Sequence, residues 1–186
     1  MKSLKQFIKE SQEIHESLFG DIVRKLLDTG LSWIEGSVKW IANKSTDAVG
    51  EIWKTHRDIL GTTYSDFRRT YPQYNFLPET PKSVTEYAQS DILIFYDERI
   101  SADDKIAYAN DLISKVKKKK AKPGAAESYI AQTTVNCYIG IIKNPKAASA
   151  DKSKADKFLN AVISANNGEV KELIEERIKE FKANVK

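Results

Sequence analysis

The sequence predicts a mainly α fold with at most one or two short strands. Apolar residues recur every three to four positions along most of the 186 residues, the spacing of amphipathic helices. Hydrophobic residues make up 41% of the chain and charged residues 30%, a balance that supports a packed core and argues against wholesale disorder. A chain of this length can form one domain, or a core with a helical extension.

Residues 17–61 predict an N-terminal helical region, folded as a hairpin or as three short helices. Thr29-Gly30 is typical of a helix end, because glycine readily adopts the left-handed backbone that closes a helix. Trp33 and Trp40 follow at a spacing of seven, which places both indoles on nearly the same side of a second helix. The polar stretch 43–47 offers an N-cap for a third segment.

The segment 62–82 predicts an ordered, irregular connection. Proline lacks a backbone N–H and biases the preceding residue toward extended backbone. The aromatic residues indicate that the connection packs onto the rest of the protein. The five aromatic residues and three prolines are Tyr64, Phe67, Tyr71, Tyr74, Phe76, Pro72, Pro78 and Pro81.

Residues 83–186 predict a C-terminal helical domain. Its best-marked helix follows Ser101, a preferred N-cap residue, and carries Asp103 and Asp104 in its first turn. The lysines at the other end of this helix complement the negative end of the helix dipole.

Two apolar runs in this domain have an ambiguous pattern. Residues 91–96 fit either a short strand or a buried helical turn, because periodicity cannot separate the two in so short a run. Residues 129–142 contain Thr and Val, which favour strands, but are assigned to a helix. Two amphipathic helices at 149–165 and 168–183 are expected to form an antiparallel pair, since 166–168 is a good turn.

Several functional classes find no support in the sequence. A single cysteine, Cys137, excludes an intramolecular disulfide and is expected to be a small buried residue. The two histidines, His15 and His56, lack a partner at metal-ligand spacing, and no phosphate-binding, dinucleotide-binding or hydrolase-elbow motif occurs. No run of about 18 uncharged apolar residues predicts a membrane span. We therefore expect no enzyme, no cofactor and no metal site.

An acidic group around residues 91–104 is the alternative that a nuclease or small hydrolase would need. It comprises Asp91, Asp97, Glu98, Asp103 and Asp104. A metal-binding site would require Asp91, Asp97 and Asp103 to converge in space. Solvated acids at the end of an apolar run and at a helix N-terminus are the simpler interpretation.

A lysine run follows the helix that begins after Ser101. It comprises Lys117, Lys118, Lys119 and Lys120. Such a run can contact phosphates, in which case binding to DNA would be without sequence preference. It can equally be a solvated helix C-terminus. The net charge of +4 does not decide between the two.

Trp33, Trp40 and Trp53 have lysines nearby and permit two interpretations. Indoles and lysines together can hold an amphipathic helix at a membrane surface. The same indoles can instead pack inside a helical bundle or at a protein interface, where tryptophan is enriched. We favour packing.

The first ten residues form a short amphipathic segment, with Leu4, Phe7 and Ile8 on one helical face. The pattern of Met-Lys, four variable residues and Phe-Ile-x-Glu resembles the capsid-targeting leader of internal head proteins in T-even-like tailed bacteriophages. The alternative is an ordinary amphipathic first helix that begins at Ser3.

The resemblance implies a docking and cleavage role for residues 1–16. Leu4, Phe7 and Ile8 would bind the prohead scaffold, and a maturation protease would cut after the Glu of a Leu/Ile-x-Glu tripeptide. Glu10 and Glu16 both end such a tripeptide. Four further matches occur elsewhere in the chain, at 77–79, 173–175, 174–176 and 178–180.

These observations predict a non-enzymatic bacteriophage virion protein that is made in the host cytoplasm and carried in or attached to the head. Its partners would be capsid or scaffold proteins, with packaged DNA as a further candidate. The alternative is a peripheral membrane-associated or nucleic-acid-associated binding protein that works through its Trp-bearing helices and its lysine run.

Overall fold

The computed structural model describes residues 32–119, 121–166 and 168–184. All regular secondary structure in this part of the chain is helical, which confirms the mainly α fold. The described helices are α1 (Ser32–Thr70), α2 (Val84–Tyr96), α3 (Ala102–Lys117), α4 (Ala125–Ile142), α5 (Ser149–Ser164) and α6 (Gly168–Asn184).

Helix α1 is one long helix with a kink, where the sequence predicted a hairpin or separate short helices. The backbone leaves helical values at His56, with φ −146° and ψ 41°, and not in the polar stretch 43–47. Ser45 does not cap a new helix, because it is buried and accepts a hydrogen bond from Asn136 Nδ2 at 2.9 Å. The hydroxyl serves a tertiary contact, so the helix continues through this stretch.

The irregular connection begins at Tyr71, later than the predicted start at residue 62, because residues 62–70 continue α1. Its aromatic side chains pack against the body of the protein, as expected. Tyr74 and Leu77 are buried, and the guanidinium of Arg99 lies 3.6 Å from the centre of the Phe76 ring. The connection is therefore an ordered part of the core.

Helix α2 settles the ambiguous run 91–96, and the strand alternative is wrong. Ser83 caps the helix by accepting a hydrogen bond from the backbone N–H of Glu86 at 3.3 Å. The carboxylate of Glu86 accepts one from the backbone N–H of Lys82 at 2.7 Å. Residues 91–95 are buried against α1 and α4, so burial on all sides overrides the strand preference of the isoleucines.

Helix α4 lies at the centre of the molecule and contacts all five of the other described helices. Buried residues cover nearly all of its surface, which is typical of a helix enclosed by protein. The assignment of residues 129–142 to a helix is thus confirmed. Gly140 permits the closest approach to α2, because a Cβ there would lie 1.9 Å from the carbonyl oxygen of Phe95.

Helices α5 and α6 pack mainly on α4 and not on each other, so the prediction that they pack together as an antiparallel pair is wrong. Helix α5 also contacts α3, and α6 also contacts α1. Arg177 joins α6 to α4 through a 2.7 Å hydrogen bond from Nη2 to the hydroxyl of Ser128. Helix α4 is apolar on most sides, whereas α5 and α6 each have a single apolar stripe. Each of these two helices therefore buries more apolar surface against α4 than it would against the other.

Candidate functional site

The leader lies outside the described residues. It includes the proposed docking residues Leu4, Phe7 and Ile8 and the proposed cleavage residues Glu10 and Glu16. Their roles remain predictions.

The lysine run ends α3 beside the first turn of α4. Lys117 Nζ lies 3.5 Å from the carbonyl oxygen of Ala165, at the C-terminus of α5. Lys117, Lys119 and Lys122 line an open cleft of about 540 Å³. Lys118 is exposed, and Lys120 is outside the described residues. At these positions the lysines can complement the dipole at the C-terminus of α3, and they can equally contact phosphates.

The acidic residues do not converge. Asp91 is buried in the core, Asp97 accepts hydrogen bonds from Arg99, with Oδ2 2.6 Å from Nη2, and Asp103 contacts Lys154 at 2.7 Å. Within residues 32–119, 121–166 and 168–184, no three His, Cys, Asp or Glu side chains are grouped so as to hold a metal ion. The acidic cluster that a hydrolase would require is therefore not formed by these carboxylates.

Asp91 lies instead between two tyrosines, where α2, α3 and α4 meet. The hydroxyl of Tyr108 donates to its Oδ1 at 2.9 Å, and that of Tyr129 lies 3.5 Å from Oδ2. Burial raises the pKa of Asp91 from 3.8 to about 7, because the charged form loses its hydration. The two hydroxyls offset only part of this effect. These three side chains link α2, α3 and α4 and are buried.

Lys105 and Cys137 are further buried groups with structural roles. Lys105 Nζ donates to the carbonyl oxygen of Gly140 at 3.3 Å, at the C-terminal end of α4, where a cation complements the helix dipole. Burial lowers the pKa of Lys105 to about 8 and raises that of the Cys137 thiol. The expectation that Cys137 is a small buried residue is confirmed.

Two of the three tryptophans pack within the protein, as favoured above. Trp40 is 8% exposed and donates from Nε1 to Glu180 at 3.0 Å. Trp53 packs against Tyr87, with ring centres 4.8 Å apart. The side chain of Trp33 is outside the described part of the structure. None of the described helices combines the length and apolar character needed to cross a membrane.

An open cleft of about 710 Å³ lies between α1 and α2, beside the kink in α1. We call it the kink cleft. Its lining includes Trp53, Arg57 and Gly61 from α1, Lys82 from the connection just before α2, and Tyr87 from the first turn of α2. Local sequence patterns do not indicate this cleft, because the kink contains neither proline nor glycine and the lining residues are far apart in the chain. The one local signal is Gly61, a glycine inside a helix.

The chain was compared with models of known protein families, with characterised proteins and with solved structures, and none of them matches it.

Proposed function

We propose that this protein is a non-enzymatic bacteriophage virion component, packaged in or attached to the head and acting through protein contacts. The observation that carries the proposal is the order of residues at the start of the chain, with Met1-Lys2, Phe7-Ile8 and Glu10 at the positions of a capsid-targeting leader. The apolar face of Leu4, Phe7 and Ile8 would bind a groove on the scaffold.

The folded body supports cleavage near the start of the chain over cleavage elsewhere. The matches to the tripeptide beyond residue 16 lie within packed structure. Leu77 is 2% exposed, Ile174 is fully buried, and residues 173–180 belong to α6. Proteases cut exposed, locally extended chain far more readily than packed helices. Glu10 and Glu16 are therefore the proposed cleavage positions.

Mass spectrometry of the protein from mature particles tests the proposal. We expect a chain that begins at Ser11 or Ser17. A Glu10→Gln change should abolish the cut before Ser11, while the matched control Glu175→Gln in α6 should leave processing unchanged. A chain that still begins at Met1 would refute cleavage, and absence of the protein from purified particles would refute the proposal as a whole.

Incorporation into particles tests docking separately from cleavage. Phe7→Ala should lower the copy number in proheads, because truncation of an aromatic anchor at an interface commonly costs about 2 kcal/mol or more, roughly a 30-fold loss of affinity. The neighbouring change Gln6→Ala serves as the control. Equal incorporation of both variants and the unmodified chain would contradict the docking role.

A second candidate function is binding of nucleic acid without sequence preference. The cleft lined by Lys117, Lys119 and Lys122 favours it, since clustered lysines release counterions from phosphates. Affinity for DNA should then fall steeply with salt, and Lys119→Gln should reduce the salt dependence. The membrane-surface alternative has less support, because Trp40 and Trp53 are used in packing. Flotation with anionic liposomes tests it.

A further inference from the structure

The lysine-lined cleft at the end of α3 carries an excess of positive charge. We call it the lysine cleft. Its lining contains Lys117, Lys119 and Lys122 and, among the described residues, a single carboxylate, that of Glu127. All three lysines are exposed, as is the neighbouring Lys118. Their charge is therefore accessible to a partner at the surface of the protein.

The three lysines are only weakly engaged within the protein. Lys119 forms no ion pair with a described residue. Lys122 lies 3.6 Å from Glu51, but this carboxylate is closer to Lys54, at 2.8 Å. Lys117 Nζ contacts a backbone carbonyl oxygen at 3.5 Å. Exposed pairs of this kind contribute little to stability, so a bound anion would displace no strong internal contact.

An acid at the edge of the lysine cleft does not cancel this charge. Glu169, at the start of α6, lies beside Gly124, because a Cβ added to this glycine would be 3.8 Å from its Oε1. The lining has three lysines against one carboxylate, and the count becomes four against two once Lys118 and Glu169 are included. The excess is the same in both counts. The cleft is therefore complementary to a polyanion such as a phosphate backbone.

The rest of the lining favours a duplex over a single strand. Apart from Glu127 and Asn166, the other lining side chains are aliphatic or proline, and none of those described is aromatic. Ile130, one of the larger of them, is 3% exposed and offers little surface to a base. Proteins that bind single strands commonly stack the bases on aromatic side chains, which contribute about 1–3 kcal/mol per base. The lysine cleft can contact phosphates but provides no such platform.

We propose that the lysine cleft binds the phosphate backbone of double-stranded DNA in preference to single strands. Lys117, Lys119 and Lys122 each pair with a phosphate, while the bases remain stacked inside the duplex. A duplex carries about twice the charge per unit length of a single strand, so each pair formed releases more counterions. This inference rests on the second candidate function, whose substrate it names, and it does not involve the leader.

Fluorescence anisotropy with the purified full chain tests this inference. The probes are a labelled duplex of roughly 20 base pairs, about two helical turns, and an oligodeoxythymidine of equal length. We expect the duplex to bind severalfold more tightly at 50 mM salt. With three phosphate contacts, the slope of the logarithm of affinity against the logarithm of salt concentration should be about −2.7. Affinity for the duplex should then fall about 40-fold between 50 and 200 mM salt.

Two substitutions with opposite effects locate the site. Lys119→Gln removes one phosphate contact, so the slope should become about −1.8. Glu127→Gln removes a carboxylate that repels phosphates, and it should raise the affinity severalfold. Lys152→Gln is the matched control and should leave the slope unchanged, because Lys152 lies in the first turn of α5, roughly 20 Å along the helix from Ala165 in the cleft. A melting curve for each variant verifies that it is folded.

Four outcomes would overturn the inference. Equal or tighter binding of the single strand would refute the preference for a duplex and leave the second candidate function intact. An unchanged slope for Lys119→Gln, or equal affinities of Glu127→Gln and the unmodified chain, would place DNA binding elsewhere on the protein. Displacement of the duplex by polyglutamate at equal charge concentration would assign the cleft to an acidic protein segment. The absence of salt-dependent binding to either probe would refute this inference and the second candidate function together.

Discussion

Replacement of Asp91 by asparagine should change how the stability of this protein depends on pH. The carboxyl group is 4% exposed and faces the hydroxyls of Tyr64, Tyr87, Tyr108 and Tyr129, none of which is cationic. Its pKa is about 7 in the folded protein and near 3.8 in an unfolded chain. The folded state therefore holds this proton more tightly than the unfolded state does.

The sign and the size of the effect follow from this difference. Below about pH 4 both states carry the proton, and the contribution of Asp91 to stability is greatest. As the pH rises from 4 to 7, the unfolded state loses its proton first, so the free energy of unfolding decreases. The rise in pKa from 3.8 to about 7 corresponds to about 4 kcal/mol, and the decrease ends once the folded protein has ionised.

Asparagine has the same shape, and its carbonyl oxygen can still accept from Tyr108, but it does not ionise. Urea unfolding of both proteins between pH 4 and pH 9 measures the difference in the free energy of unfolding. We expect the two to agree within about 1 kcal/mol at pH 4, and Asp91→Asn to be more stable by about 2–4 kcal/mol at pH 8. Asp103→Asn, on the surface, is the control for a general charge effect.

The comparison between variants isolates this residue, because other titrating groups contribute equally to both curves. A difference that stays constant from pH 4 to pH 9 would refute the reasoning. So would a variant that loses stability relative to the unmodified protein as the pH rises. Either result would mean that Asp91 is solvated or paired with a cation.

Three glycine substitutions inside helices should have different effects, each measured as the free energy of unfolding in urea. Gly140→Ala should destabilise the protein by about 3 kcal/mol or more, because a Cβ 1.9 Å from the Phe95 carbonyl oxygen forces α2 and α4 apart. A loss of less than about 0.5 kcal/mol would contradict this close approach. Gly50→Ala should stabilise by about 0.5–1 kcal/mol, since the nearest atom is 3.9 Å away; destabilisation would contradict the open space there. Gly61→Ala alone should change the free energy of unfolding little, because the new Cβ would lie 2.9 Å from the Tyr87 hydroxyl. In a Tyr87→Phe background, which removes this hydroxyl, the same change should stabilise by about 1 kcal/mol. Equal effects of Gly61→Ala in the two backgrounds would show that the hydroxyl does not occupy this space.

Local signals in the sequence predicted the helices that depend on local interactions. Ser101 caps α3 by accepting a hydrogen bond from the backbone N–H of Asp104 at 3.1 Å, as its place before two acids indicated. The aromatic connection also packs as expected. These features are encoded within a few residues of one another, so a single sequence is enough to identify them.

Contacts between distant residues could not be predicted in the same way. Ser45 resembles an N-cap, but its hydroxyl accepts a hydrogen bond from Asn136, which lies 91 positions later, and does not cap a helix. The run 91–96 has no exposed face, so neither the helical nor the strand period is visible. The kink cleft was not predicted, because its walls bring Trp53 and Gly61 of α1 next to Tyr87 of α2, far along the chain.

The central position of α4 has a consequence for synthesis of the chain on the ribosome. Helices α1, α2 and α3 emerge first, yet the surface against which all three pack is translated only with residues 125–142. At about 5–20 residues per second, α1 waits for several seconds before that surface is available. During this interval α1 can pack on α2 and α3, but the faces of these helices that pack on α4 are exposed to water. A nascent chain arrested before residue 125 should therefore recruit chaperones that one arrested well beyond residue 184 does not.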